Sequence, residues 1–96
     1  MTPQEVCSKA ADYIEQHGWT RGTYEQRGRV CLLGALDAVS PPYEHLGPAF
    51  ESDNLKARNQ LRQYLKVNKL HKWNDAQKSR TPVLKALRAV AAGDTQ

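Results

Sequence analysis

The segment Val30-Cys31-Leu32-Leu33-Gly34-Ala35-Leu36-Asp37-Ala38-Val39 constrains this chain more than any other. Only Asp37 breaks its apolar character, so a helix over about 30–39 has almost no face suited to water and must be covered by the rest of the fold. Gly34, Ala35 and Ala38 are small enough for neighbouring helices to approach closely. Ser40-Pro41-Pro42 ends the helix, because each proline drives the residue before it out of the helical region. The run is far too short to cross a bilayer. With 96 residues, the chain predicts a single domain over 1–96 built around that one buried helix.

The covering elements follow from local signals. Thr2, Pro3 and Glu5 form a capping box with proline at the first helical position. Val6, Ala10, Tyr13, Ile14 and His17 keep helical spacing up to Gly18, which suits the C-terminal end, and Trp19 is placed to fold back onto the last turn. Residues 20–29 read as a loop or short irregular hairpin that leaves room for a minor β element. Tyr43 to Asp53 reads as a loop with room for one helical turn. A third helix starts near Ser52-Asp53-Asn54 and reaches about Lys66, with Ala57, Leu61, Tyr64 and Leu65 inward. Val67 to Lys72 continues irregularly or as a short extra turn, leading to a buried Trp73. Thr81 as cap and Pro82 at the first position open the last helix, which turns Val83, Leu84, Leu87, Val90 and Ala91 inward and stops at Gly93. The expected fold is all-α: a compact four-helix domain around the buried helix at 30–39.

Charge divides the chain unevenly. Residues 1–53 carry eight acidic and four basic side chains, whereas residues 54–96 carry ten basic and two acidic ones. Between Lys56 and Arg88 the only acid is Asp75. Arg58, Arg62 and Lys66 recur every four residues on the outer face of the third helix, with Lys56, Asn59 and Gln63 beside them, and Lys69, Lys72, Lys78 and Arg80 extend the positive region. Such a surface attracts a polyanion or an acidic protein face.

The two cysteines, Cys7 and Cys31, lie inside apolar patterns and read as reduced core thiols. His17, His45 and His71 show no ligand spacing with them, so neither a metal nor another cofactor is expected. The N-terminus has no basic stretch followed by an apolar run, and the expected location is the cytoplasm. A catalytic reading centres on Cys31 as nucleophile at the start of the second helix, His45 or His71 as base, and Asn74 or Asp75 orienting the imidazole. Against it stands a thiol packed among Val30, Leu32 and Leu36, with no local signature of a cysteine enzyme. Asn74 and Asp75 have a structural reading too: they suit a loop tied to nearby backbone amides, or pairing with Arg21, Arg29 or Arg80.

Arg29-Val30-Cys31-Leu32-Leu33-Gly34-Ala35-Leu36 and Trp73-Asn74-Asp75-Ala76, followed by Arg80-Thr81 and Val83-Leu84-x-Ala86-Leu87-Arg88-x-Val90-Ala91, resemble a family of short proteins of unknown function from actinobacteria and their phages. The Gly18-Trp19 corner fits as well, and Gln77-Lys78-Ser79 departs from the Pro-Gly turn common at that place. The resemblance implies structural roles for Trp19, Cys31, Gly34, Trp73, Asn74 and Asp75, no particular activity, and a phage or mobile-element origin.

The leading expectation is a non-catalytic regulatory or interaction module that binds a host protein with an acidic surface, with no membrane partner. The docking residues would be Lys56, Arg58, Asn59, Arg62, Gln63, Lys66, Lys69 and Lys72. A nucleic-acid binder using the same residues is the first alternative, although roughly a dozen residues between helices two and three exceed the three or four of a helix-turn-helix turn. A small enzyme built on Cys31 is the second. The opposite charges of the two halves also permit head-to-tail pairing of two copies.

Overall fold

The computed structural model describes residues 2–40 and 52–93. Its elements are α1 (Pro3–His17), β1 (Glu25–Gln26), β2 (Arg29–Val30), α2 (Leu32–Ala38), α3 (Asp53–Leu65), α4 (Leu70–Ala76) and α5 (Thr81–Ala91). The chain is thus mostly helical, with five described helices and a two-stranded hairpin. The expectation of one helical turn within Tyr43–Asp53 falls mostly outside the described residues.

The capping box forms as its residues dictate. The Glu5 amide donates to Thr2 Oγ1 at 3.1 Å, and the Thr2 amide donates to Glu5 Oε1 at 2.8 Å. These bonds to Thr2 hold the Glu5 carboxyl below its usual range. α1 buries Val6, Cys7, Ala10, Ala11 and Ile14. His17 is exposed and stacks at a tilt on the half-buried Tyr13, ring centroids 4.2 Å apart, instead of facing the core.

α2 begins later than hydropathy suggests. Val30 is strand, paired across the hairpin with Glu25, and the Cys31 amide donates to Tyr24 O at 3.1 Å. Both residues are therefore extended, a state that β-branched valine favours, and the helix starts at Leu32. The hairpin closes through Arg27 and Gly28, at φ 52° and 84°. Two consecutive positive φ values are what a tight two-residue hairpin turn of the matching twist requires, and glycine supplies the second without strain. Trp19 and Thr20 run alongside Val30, which fastens the hairpin to the end of α1.

Leu32, Gly34, Ala35 and Leu36 make α2 as buried as its composition demands, while Ala38 reaches solvent. Gly34 matters for the hairpin, not for helix packing. A Cβ there would lie 2.8 Å from Tyr24 O and 3.1 Å from Val30 Cβ. α2 packs on α1, α4 and β2, and α1 packs on α2, α3 and most broadly α5. The core therefore lies between α1 and the later helices, with Leu61 of α3, Leu70 of α4 and Val83, Ala86, Leu87 and Val90 of α5 closing it.

Two boundaries differ from the sequence reading. Leu70–Ala76 is a helix of its own, because Leu70 and Asn74, one turn apart, are both drawn inside; Trp73 between them is half-buried. Thr81 is an exposed first helical residue, not the cap; Arg80 before it makes no side-chain capping bond.

Candidate partner-binding site

The cations of the later chain fall into two groups. Arg58 belongs to the interior edge of α3. Its Nη2 donates to Asp37 Oδ1 at 2.6 Å and its Nε donates to Asn54 Oδ1 at 2.8 Å. Asp37 also accepts from Asn54 Nδ2 at 2.9 Å and from Tyr24 Oη. The one polar side chain of α2 is thus the hub that ties hairpin, α2 and α3 together, and Arg58 is neutralised there. Arg62 donates to Asn59 Oδ1 at 2.8 Å and to Asn68 O at 3.2 Å, which closes the end of α3. The expected row Arg58–Arg62–Lys66 is therefore not a line of free cations. The reason is helical drift: a four-residue step advances by 40° beyond a full turn, so Arg58 falls beside the buried Asn54 and Leu61 while Lys66 points away.

Lys56, Lys66, Lys69 and Lys72 form the second group. All four are exposed, and no hydrogen bond or ion pair holds them among the described residues. Lys66 is the left-handed residue that ends α3, at φ 58° and ψ 45°. Beyond it, Val67, Asn68, Lys69, Lys72 and Trp73 line an open groove of about 470 Å³. Its lining contains no acid among the described residues, and Trp73 and Val67 contribute apolar surface. Asn59 and Gln63 are exposed on α3, as is Lys56.

α4 separates this groove from a second cavity. Residues three or four apart share a helix face, so Lys69, Lys72 and Trp73 look one way while His71 and Asp75 look another. The second cavity, about 220 Å³, has Cys31 and Leu33 among its lining, with His71 and Asp75 across from the Gly22–Tyr24 segment. The residues of the catalytic reading, Cys31, His71 and Asp75, thus meet around one space. They are not assembled as a relay among the described residues: Cys31 Sγ accepts from the Gly34 amide at 3.4 Å, and no bond joins the imidazole to the thiol or the carboxylate. His45, the other base considered, lies outside the described residues. No group of three or more His, Cys, Asp or Glu among the described residues could hold a metal ion.

Asn74 is fully buried and has all four of its hydrogen-bonding positions filled. Its Oδ1 accepts from Trp19 Nε1 at 2.7 Å and from the Leu32 amide at 3.1 Å. Its Nδ2 donates to Thr20 O at 3.3 Å and to Asp75 Oδ1 at 3.2 Å. The Leu32 amide is one of the first-turn N–H groups that a helix leaves without an internal partner, so Asn74 caps α2 from a different helix. Asp75 Oδ1 accepts from the Gly22 amide at 2.8 Å, which holds its carboxyl below the ordinary range. Arg21, considered as an Asp75 partner, donates instead to Gln77 O at 2.6 Å. The Asp37–Asn54–Arg58–Tyr24 cluster escaped the sequence reading, although a lone aspartate in an oily helix signals that a donor must meet it.

A family model described as a family of unknown function (DUF6197) matches residues 1–93. No curated protein and no solved structure matches.

Proposed function

We propose, on the premise that the chain belongs to this family of unknown function, that it is a non-catalytic interaction module whose α3–α4 corner docks on an acidic surface of another protein. The supporting observation is the groove at Trp73: Lys69 and Lys72 line it, Lys66 precedes it, and no acidic side chain among the described residues shares it. Free lysines at a rim steer an oppositely charged partner and raise the rate of encounter. The half-buried Trp73 with Val67 supplies the apolar surface that holds the complex once formed. Arg58 leaves the docking set, since it is spent on Asp37. Lys56, Asn59, Arg62 and Gln63 remain as the outer flank. Resemblance to short actinobacterial and phage proteins favours a host component as the partner, met in the cytoplasm.

The test compares the full chain with Lys66→Glu/Lys69→Glu/Lys72→Glu. Bound to a support in nuclease-treated host lysate at low salt, the natural chain retains one acidic protein, which recombinant expression then reproduces in a purified pair. The triple variant, and added salt, release it. Equal retention by the variant sinks the reading. Salt-dependent binding of a DNA or RNA oligonucleotide, abolished by the same substitutions, assigns the surface to nucleic acid instead. A mass that doubles at low salt assigns it to a second copy.

A further inference from the structure

Away from the basic groove, the 220 Å³ cavity gathers a carboxylate, a phenol ring and apolar side chains around one space. Four hydrogen bonds fix its walls: Gly22 N–H to Asp75 Oδ1, Arg21 Nη1 to Gln77 O, Asn74 Nδ2 to Thr20 O, and Cys31 N–H to Tyr24 O. These bonds pin the 20–24 segment to α4 and to the start of α2 on either side of the space. Below the roughly 300–1,000 Å³ of drug-sized pockets, it admits only a small molecule or the end of a side chain.

Its chemistry is one-sided. Among the described residues Asp75 is the only charged acid in the lining, and its Oδ1 takes both of its hydrogen bonds, leaving Oδ2 without a donor there. The Tyr24 ring lines the same space, Leu33 and the buried Cys31 add apolar surface, and His71 lines it too and interacts electrostatically with Asp75. Arg21 is not among the lining residues; it donates to Gln77 O and acts on Asp75 through its charge alone. A carboxylate oxygen in a space shared with a tyrosine ring and apolar side chains is a combination that favours an organic cation over an anion or a neutral apolar group. We propose that this cavity binds a primary alkylammonium group, either of a small free amine or of a lysine side chain presented by a partner.

The proposal is independent of the basic groove and is tested on the isolated full chain. Amide spectra are recorded while n-butylammonium chloride, sodium butyrate or Nα-acetyl-lysine methylamide is added. Butylammonium moves the Gly22, Cys31 and Asp75 amides saturably, and butyrate leaves them in place. Asp75→Asn keeps an acceptor for the Gly22 amide, so the fold stays and the ammonium affinity drops about tenfold or more, as loss of a charged hydrogen bond requires. Tyr24→Leu, which removes an aromatic ring and leaves Asp75 in place, weakens it as well and serves if the first variant does not fold. Tighter binding of the lysine derivative points to a partner's side chain, and tighter binding of butylammonium to a free amine. Butyrate binding as well as butylammonium, no saturable shift with either amine, or affinity unchanged in both variants overturns the assignment.

Discussion

Asn74 illustrates how much one side chain can hold in a chain this short. Replacing it by alanine strands the Trp19 indole N–H, the Leu32 amide and the Thr20 carbonyl near or inside the core, each costing roughly 1–3 kcal/mol unless water reaches it. Asn74→Ala is therefore expected to lose at least about 3 kcal/mol, measured as a lower urea midpoint, with the indole N–H resonance of Trp19 shifting. Asp75→Ala loses less, because that residue is exposed and surrenders chiefly the Gly22 contact. Cys7 makes a second prediction at this scale. Burial pushes its thiol up to about 12, so iodoacetamide at pH 8 leaves Cys7 unmodified in the folded chain and labels it once urea is added, read by peptide mass. Asn74 was visible in the sequence only as an amide next to an acid. Its partners lie up to 55 positions away, and no local pattern encodes a contact of that range.

Among the elements, α2 and the hairpin depend on each other. Gly34→Ala gains about 1 kcal/mol of helix propensity. The new Cβ, however, meets Tyr24 O, a backbone atom held by the Cys31 amide, at 2.8 Å. Overpacking of this kind costs about 1–3 kcal/mol, so the substitution is expected to lower the melting temperature and to speed hydrogen exchange at Cys31. No change in that exchange rate would show that the hairpin yields freely. The capping box of α1, the Ser52 cap of α3 and the amphipathic faces of α1 and α5 were legible because each lies within one or two turns of chain. α4 was not, because Leu70 and Trp73 alone make too short an apolar pattern, and Asn74 reads as a surface residue until Trp19 and Leu32 are brought to it.

For the molecule as a whole, the pH dependence of stability follows from shifts in two opposed directions, the Cys7 thiol, raised from 9.0 to about 12, adding to the alkaline side. Desolvation, then the hydrogen bond from its hydroxyl to Asp37 and that carboxylate's charge, raise the Tyr24 phenol to about 12 from 10.0. The unfolded chain loses that proton first, so the stability is fully present below 10.0 and drains away as pH rises through about 12. Glu5 and Asp75 are shifted down, from 4.5 and 3.8. Their contributions are present above those values and vanish as pH falls through the lowered folded ones. A broad plateau with a fall on each side is the expected melting profile, and Tyr24→Phe removes part of the alkaline fall. A profile unchanged by that substitution would detach Tyr24 from it. The net charge also redistributes on folding: Arg58 meets Asp37, and Arg88 meets Asp12 at 2.9 Å and Glu15 at 3.0 Å. Acids of the first half thus quench cations of the second, and the lysines of the α3–α4 corner are what the imbalance leaves exposed there.

By itself the sequence determined that the chain is mostly helical, that a helix within about 30–39 is the most buried, where α1 and α3 start, and that the later half is basic. These properties are set by residues close together in the chain: hydrophobic period, caps, prolines and summed charge. Only the tertiary structure decided which cations stay free, that Asn74 caps α2 from α4, and that Cys31, His71 and Asp75 share one cavity. Each of those depends on the direction of side chains from segments far apart, and packing of the whole core sets that direction.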